Sequence, residues 1–183
     1  MRSPQIHVSA TLPSPLPEAL AVLLPASGSL PPDITSVLSA AEAAYVGDQQ
    51  ARKAPLIRLV RYGAGILYIL PLPDKPTPDL TREAARKLGH QLQALLAPDR
   101  VDSLHILGAG IAADLPLALA EGVILSSYHF APFKTKPEEP APVRLRQVTV
   151  SGASEADALW LASVLDGVFL ARDLVNTPFS HQS

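Results

Sequence analysis

The placement of proline constrains this chain more than any other feature. Its 19 prolines are about twice the usual share of roughly 5%. Most fall in clusters: Pro13, Pro15 and Pro17; Pro31 and Pro32; Pro71, Pro73, Pro76 and Pro78; Pro137, Pro140 and Pro142. Proline fixes φ and offers no N–H, so such clusters mark loops and element boundaries. The apolar segments between them are short. Ala19–Pro25 and Ile66–Leu72 are strand-length, well below the roughly 20 residues of a membrane-spanning helix. Met1–Ala10 lacks the charged head and apolar middle of a signal peptide.

The periodicity of each segment gives its expected form. Gln5–Ala10 alternates weakly and suits an edge strand. Glu18–Pro25 is continuously apolar, as in a strand buried on both faces. Ile34–Val46 has helical spacing, with Asp33 as its expected N-cap. Leu56–Tyr62 and Ile66–Leu72 flank Gly63-Ala64-Gly65 and predict a hairpin. Asp79–Leu96, opened by Pro78, sets Leu80, Ala84, Leu88, Leu92 and Leu95 on one face of a helix. Ser103–Leu107 reads as a strand, and the segment from Leu115 through Gly122 as a helix capped by Asp114. Pro132–Pro142 reads as a loop and Val143–Val150 as a strand with one solvated face. Ser154–Val175 reads as a long helix capped by Ser154. Alternating strands and helices predict a three-layer α/β/α domain with a mixed, mostly parallel sheet. Residues 1–153 would form the α/β domain, and 154–183 the long helix and the start of a linker.

Composition narrows the function. With 183 residues there is room for one substantial core. Hydrophobic residues make up 48%, which excludes general disorder. A net charge of −2 provides no basic field, so nucleic acid is a disfavoured partner. No cysteine is present, which removes thiolate ligands, thiol nucleophiles and disulfides.

Few residues have spacing that implies chemistry. His7, His90, His105, His129 and His181 show no metal-motif spacing. No G-x-S-x-G occurs, and Ser126-Ser127 beside Tyr128 and His129 is only sequence adjacency. Gly108-Ala109-Gly110 follows a strand and precedes a helix, as a phosphate-cradling turn would. Residue 113 is alanine where the dinucleotide fingerprint has a third glycine, so an ordinary strand-to-helix turn is the better reading. The acidic and basic residues of the proline-rich loop read as solvated charges. Catalytic and metal-binding positions are therefore assigned to no residue of this chain.

Two segments carry more information. In Glu121–Lys136, Tyr128, Phe130 and Phe133 crowd into six residues of a chain that is only 5% aromatic. In Leu170–Pro178, LARDLVNTP ends a helix whose apolar residues Leu161, Leu165, Trp160, Val164 and Phe169 lie on several stripes. A helix apolar on so much of its circumference should be covered on more than one side.

These segments resemble two stretches of the leucyl aminopeptidases (cytosol aminopeptidases, peptidase family M17). Ala171, Arg172, Asp173, Leu174, Asn176 and Pro178 match that family's a-R-D-L-x-N-x-P segment, which joins its two domains. Glu121, Gly122, Leu125, Tyr128, Phe130, Phe133, Lys134 and Lys136 match its E-G-x-x-L-x-x-Y-x-F-x-x-Y/F-K-x-K stretch, in the same order along the chain. The first 115 or so residues resemble the family in layout alone.

The resemblance implies an N-terminal α/β domain of macro-domain-like fold. It also implies a separate catalytic domain that carries two divalent metals, zinc or manganese. The signatures of that domain, V-G-K-G-[IV]-T-F-D-[ST]-G-G and N-T-D-A-E-G-R, do not occur in this chain. The expected role is non-catalytic, with no cofactor in this chain: packing on the catalytic domain of the same protein and supplying contacts in a cytoplasmic homo-oligomer, a hexamer in the family. The alternative is a free-standing macro-like module that binds a nucleotide or ADP-ribose-type ligand at Gly108 and Gly110.

Overall fold

The computed structural model describes residues 3–130 and 144–177. Among these residues six strands form one sheet: β1 Gln5–Ser9, β2 Ala19–Pro25, β3 Ile57–Arg61, β4 Gly65–Leu72, β5 Ser103–Gly108 and β6 Gln147–Ser151. Their order is β1-β6-β5-β2-β4-β3. Among the described residues only the β3–β4 hairpin pairs antiparallel; every other pairing is parallel. The helices are α1 Pro32–Thr35, α2 Ala40–Ala51, α3 Pro78–Leu96, α4 Leu115–Ser126 and α5 Glu155–Asn176. The mixed, mostly parallel α/β architecture read from the sequence is the one observed.

Strand β2 lies between β5 and β4 and is buried on both faces, which its unbroken apolar run requires. Its residues divide by parity. Ala19, Ala21 and Leu23 join Tyr68, Leu70, Leu104, Ile106, Val148 and Val150 in the larger core, under α3, α4 and α5. Leu20, Val22 and Leu24 join Leu67 and Ile69 on the opposite face, where Ile34 of α1 and Val46 of α2 cover them. That second layer covers the β2–β4–β3 side. On the β1–β6–β5 side the same face is polar, with His7, Thr149 and His105 in register across three strands. His105 is buried, and its Nε2 lies 2.7 Å from the Ser151 hydroxyl.

Three boundaries differ from the sequence reading. The helix expected over Ile34–Val46 is two helices. Asp33 does not cap; Ser39 does, accepting from the Glu42 amide while Glu42 accepts from the Ser39 amide. This reciprocal capping box starts α2 afresh after α1. Asp114 precedes α4 without capping it, because its carboxylate instead accepts from Arg82 Nε at 2.5 Å. The strand expected from Val143 begins at Gln147. Val143 lies outside the described residues; the register with Gln5 and Ser103 begins at Gln147, and Arg146 ahead of it accepts from the Gln5 amide at 2.8 Å and donates to the Asp102 carbonyl at 2.7 Å. The Pro132–Pro142 loop lies outside the described residues.

Helices α3 and α4 pack closely, and two glycines allow it. A β-carbon on Gly122 would stand 2.1 Å from the Arg86 carbonyl oxygen, and one on Gly89 would stand 2.3 Å from that of Leu119. Real side chains never approach so near, so both positions must lack one.

Candidate functional site

The two segments singled out in the sequence meet in space. Helix α4 carries the first and ends at Ser126, from which the chain turns through Tyr128. Helix α5 carries the second on its last turns. Its inner stripe of Ala158, Leu161, Leu165 and Phe169 is buried in the larger core, which fixes the rotation of the helix. That rotation brings Arg172, Asp173 and Asn176 to Tyr128.

Tyr128 is the centre of the cluster. Its hydroxyl donates to Asp173 Oδ1 at 2.9 Å and accepts from Asn176 Nδ2 at 3.1 Å. Its ring meets Phe169 edge-on with centroids 5.2 Å apart. The Arg172 guanidinium lies over the same ring, 5.3 Å from its centroid, within cation–π range. Arg172 also donates to the Leu125 carbonyl at 2.9 Å, and so satisfies one of the acceptors left open at the end of α4. Thr177 closes the end of α5 by donating its hydroxyl to the Asp173 carbonyl at 2.7 Å. Partial burial pushes the Tyr128 phenol above its ordinary value, and the Asp173 hydrogen bond adds to this. The phenol is therefore a neutral donor over the ordinary pH range.

The start of the first segment has a separate task. Glu121 accepts from Arg86 Nε at 2.7 Å, and Gly122 lies on the backbone of the same arginine. Both residues seat α4 on α3. Phe130 follows Tyr128 and is half-buried at the edge of the described chain. Phe133, Lys134, Lys136 and Pro178 lie outside the described residues.

Gly108 and Gly110 form the strand-to-helix turn after β5. A β-carbon on Gly108 would meet Pro116 Cγ at 2.5 Å, and Gly110 has φ +66°. Two clefts lie elsewhere among the described residues, and neither glycine lines them. One cleft, of about 1500 Å³, opens at the amino-terminal ends of β2 and β5. Its rim includes Asp99, which accepts from Tyr68 at 2.6 Å and from Arg58 Nε at 2.7 Å. The Arg58 guanidinium, with help from Tyr68, holds the Asp99 carboxyl below its usual range. The second cleft, of about 920 Å³, lies between α2 and α3.

Among the described residues no three His, Asp or Glu side chains gather as a metal site. Among the same residues no helix is long and apolar enough to cross a membrane. The outer side of α5 is chemically distinct from its inner stripe. Leu159, Trp160, Leu170 and Val175 are all more than half exposed, Trp160 at 68%. Sequence periodicity showed that this helix is apolar on several sides. It did not show that Tyr128 would bind three residues of its last turns.

No family model matches the chain. Curated proteins named "Probable cytosol aminopeptidase" do. The one from Mycobacterium leprae is 29% identical over 98% of this chain and 39% of its own length. Its Mycobacterium marinum counterpart is 39% identical over 57% of this chain and 20% of its own length. That of Mycobacterium tuberculosis is 43% identical over 35% of this chain and 13% of its own length. The chain thus spans two fifths or less of these relatives. Among solved structures, a mutant of tomato leucine aminopeptidase superimposes with a TM-score of 0.69 at 17% identity. That match covers 97% of this chain and 39% of the tomato chain, and speaks for the fold. A likeness to leucyl aminopeptidases is therefore found in sequence relatives and in fold.

Proposed function

We propose that this chain is the non-catalytic N-terminal domain of a leucyl-aminopeptidase-like metallopeptidase, a protein that releases N-terminal amino acids from peptides. The observation that carries this reading is the construction of α5. Its inner face is locked into the α/β core, and its last turns are clasped to α4 by Tyr128, Arg172, Asp173 and Asn176. Its outer face presents Leu159, Trp160 and Leu170 to solvent. Exposed apolar residues on a helix that the fold holds rigid mark an interaction surface. The clasp fixes the direction in which the chain leaves the domain, and the apolar face is where the rest of the protein packs.

Chemistry belongs to that other body. Hydrolysis by two metals needs several carboxylates converging on ions about 3.5–4 Å apart. Two divalent ions, zinc or manganese, would sit in the catalytic domain together with all of their ligands. This domain would supply packing and subunit contacts in a cytoplasmic homo-oligomer, a hexamer by the family's habit. Peptide substrates would not touch it.

The test is an assay of the 183-residue chain with leucine para-nitroanilide, in the presence of zinc or manganese. No metal-dependent release of nitroaniline is expected. Turnover that survives purification and follows the chain through gel filtration would overturn the non-catalytic assignment.

A further inference from the structure

The cleft between α2 and α3 has no role in the reading above. It lies at the carboxyl end of β4, beyond Leu72, where the chain turns through Pro73 and Asp74 into α3. Ligands of open α/β sheets characteristically sit outside the carboxyl ends of the strands. Its volume of about 920 Å³ falls within the roughly 300–1,000 Å³ of small-molecule sites. Pro55, Pro71 and Leu80 supply apolar lining, and Lys53, Lys75 and Lys87 supply positive charge. Leu80 is 48% exposed, although it lies on the helix face that its spacing assigns to the core.

The charges are not all committed. Lys87 lies 3.7 Å from Glu83 on its own helix. Among the described residues Lys53 and Lys75 make no ion pair, and Asp74 is the one other acid in the lining besides Glu83. Lys53 carries a second signal. It follows the C-cap Arg52 of α2 with φ +56°, the left-handed position that glycine ordinarily fills. A side chain there strains the backbone, and strained backbone of this kind clusters at binding sites.

We propose that this cleft binds an amphipathic organic anion: an apolar body against the prolines and Leu80, and a carboxylate, sulfonate or phosphate head between Lys53 and Lys75. Both lysines are exposed at the mouth of the cleft, so their pull on an anion is a surface attraction that salt weakens, and the apolar lining supplies the rest of the binding. The site is separate from Gly108 and Gly110, and separate from the α5 face. It stands whether or not the chain packs on a catalytic domain.

The probe is 8-anilinonaphthalene-1-sulfonate, titrated by fluorescence into the 183-residue chain, with the uncharged N-phenyl-1-naphthylamine as its control. One saturable site per chain is expected, tighter for the sulfonate by about tenfold or more, a preference that added salt reduces. Lys75→Ala lies in an exposed loop and should weaken sulfonate binding several-fold without altering the melting temperature. Lys53→Gly should weaken binding similarly while raising the melting temperature, because it relieves the left-handed strain. Equal affinity for the neutral probe, absence of a saturable site, or a Lys53→Gly, Lys75→Ala double variant that binds like the parent would each overturn the proposal.

Discussion

The Tyr128 hydroxyl donates to the Asp173 carboxylate at 2.9 Å across 45 residues of sequence. That bond joins the exit of α4 to the last turns of α5, the two segments whose motifs resemble those of leucyl aminopeptidases. Residues far apart in the sequence are thus parts of one device. Asn176 and Arg172 hold the same tyrosine from its hydroxyl and its ring face. The clasp is a hydrogen-bonded collar around an aromatic side chain.

Removing the collar should show as lost stability with coupling. Tyr128→Phe keeps the ring on Phe169 and deletes the hydroxyl, and should cost about 1 kcal/mol. Asp173→Asn should cost a similar amount or more. A double-mutant cycle read by urea denaturation should give a coupling energy of about 0.5 kcal/mol or more. Strict additivity of the two changes would show that the bond is not formed in solution.

The α3–α4 contact predicts a steeper loss. Gly122→Ala places a methyl group 2.1 Å from the Arg86 carbonyl oxygen. Neither helix can yield locally, since both are pinned to the same sheet face. The expected cost is about 3 kcal/mol or more, at the upper end for overpacking. Gly167→Ala, whose added carbon meets nothing within 4 Å, should be neutral or slightly stabilising in the helix interior. Equal effects at the two positions would contradict the packing described.

Acid sensitivity should come from His105. Burial lowers its pKa below the ordinary 6.5. The folded state therefore binds this proton less readily than the unfolded state does. The stability contribution is fully present above 6.5 and is lost as pH falls from there through the depressed folded value. Thermal melts should decline over that window in the parent chain, and His105→Gln should flatten the decline. An unchanged slope in the variant would assign the acid sensitivity to another group.

One buried atom should be replaceable at a profit. The Gln93 side-chain oxygen is buried and has no hydrogen-bond partner among the described residues. Gln93→Met removes the orphan acceptor and keeps the length of the side chain. A gain of about 1 kcal/mol in chemical denaturation is expected. A loss of that size would mean that the amide is satisfied in solution.

Sheet and helices were largely legible because each segment is consistent with its surroundings. Strand β2 is apolar at every position because it is central, and α3 shows a clear stripe because it lies on one sheet face. Where the reading slipped, a competing local interaction decided. Ser39 and Glu42 form a capping box whose S-x-x-E spacing was visible, yet Asp33 lay nearer the start of the apolar pattern. Asp114 was drawn off its helix by Arg82, a partner 32 residues away, which no local rule anticipates. The clasp was half legible. The resemblance pointed to Tyr128, Arg172, Asp173 and Asn176 one by one, but only the rotation of α5, set by Leu161, Leu165 and Phe169 in the core, brings them together. The α2–α3 cleft had no sequence signal beyond its prolines, because its lysines come from separate elements.

The most direct test of the central claim concerns the outer face of α5. Trp160 is the chain's single tryptophan and sits on that face, so its fluorescence reports on the surface without interference. In sedimentation equilibrium the 183-residue chain, without a covering body, should self-associate, with Trp160 emission shifting to the blue as concentration rises. Failing that, α5 should exchange its amide hydrogens readily. Trp160→Asp with Leu170→Asp should give a monomer. A parent chain that stays monomeric at high concentration, with α5 fully protected from exchange, would show that this helix needs no other body to cover it, and the packing role would fall.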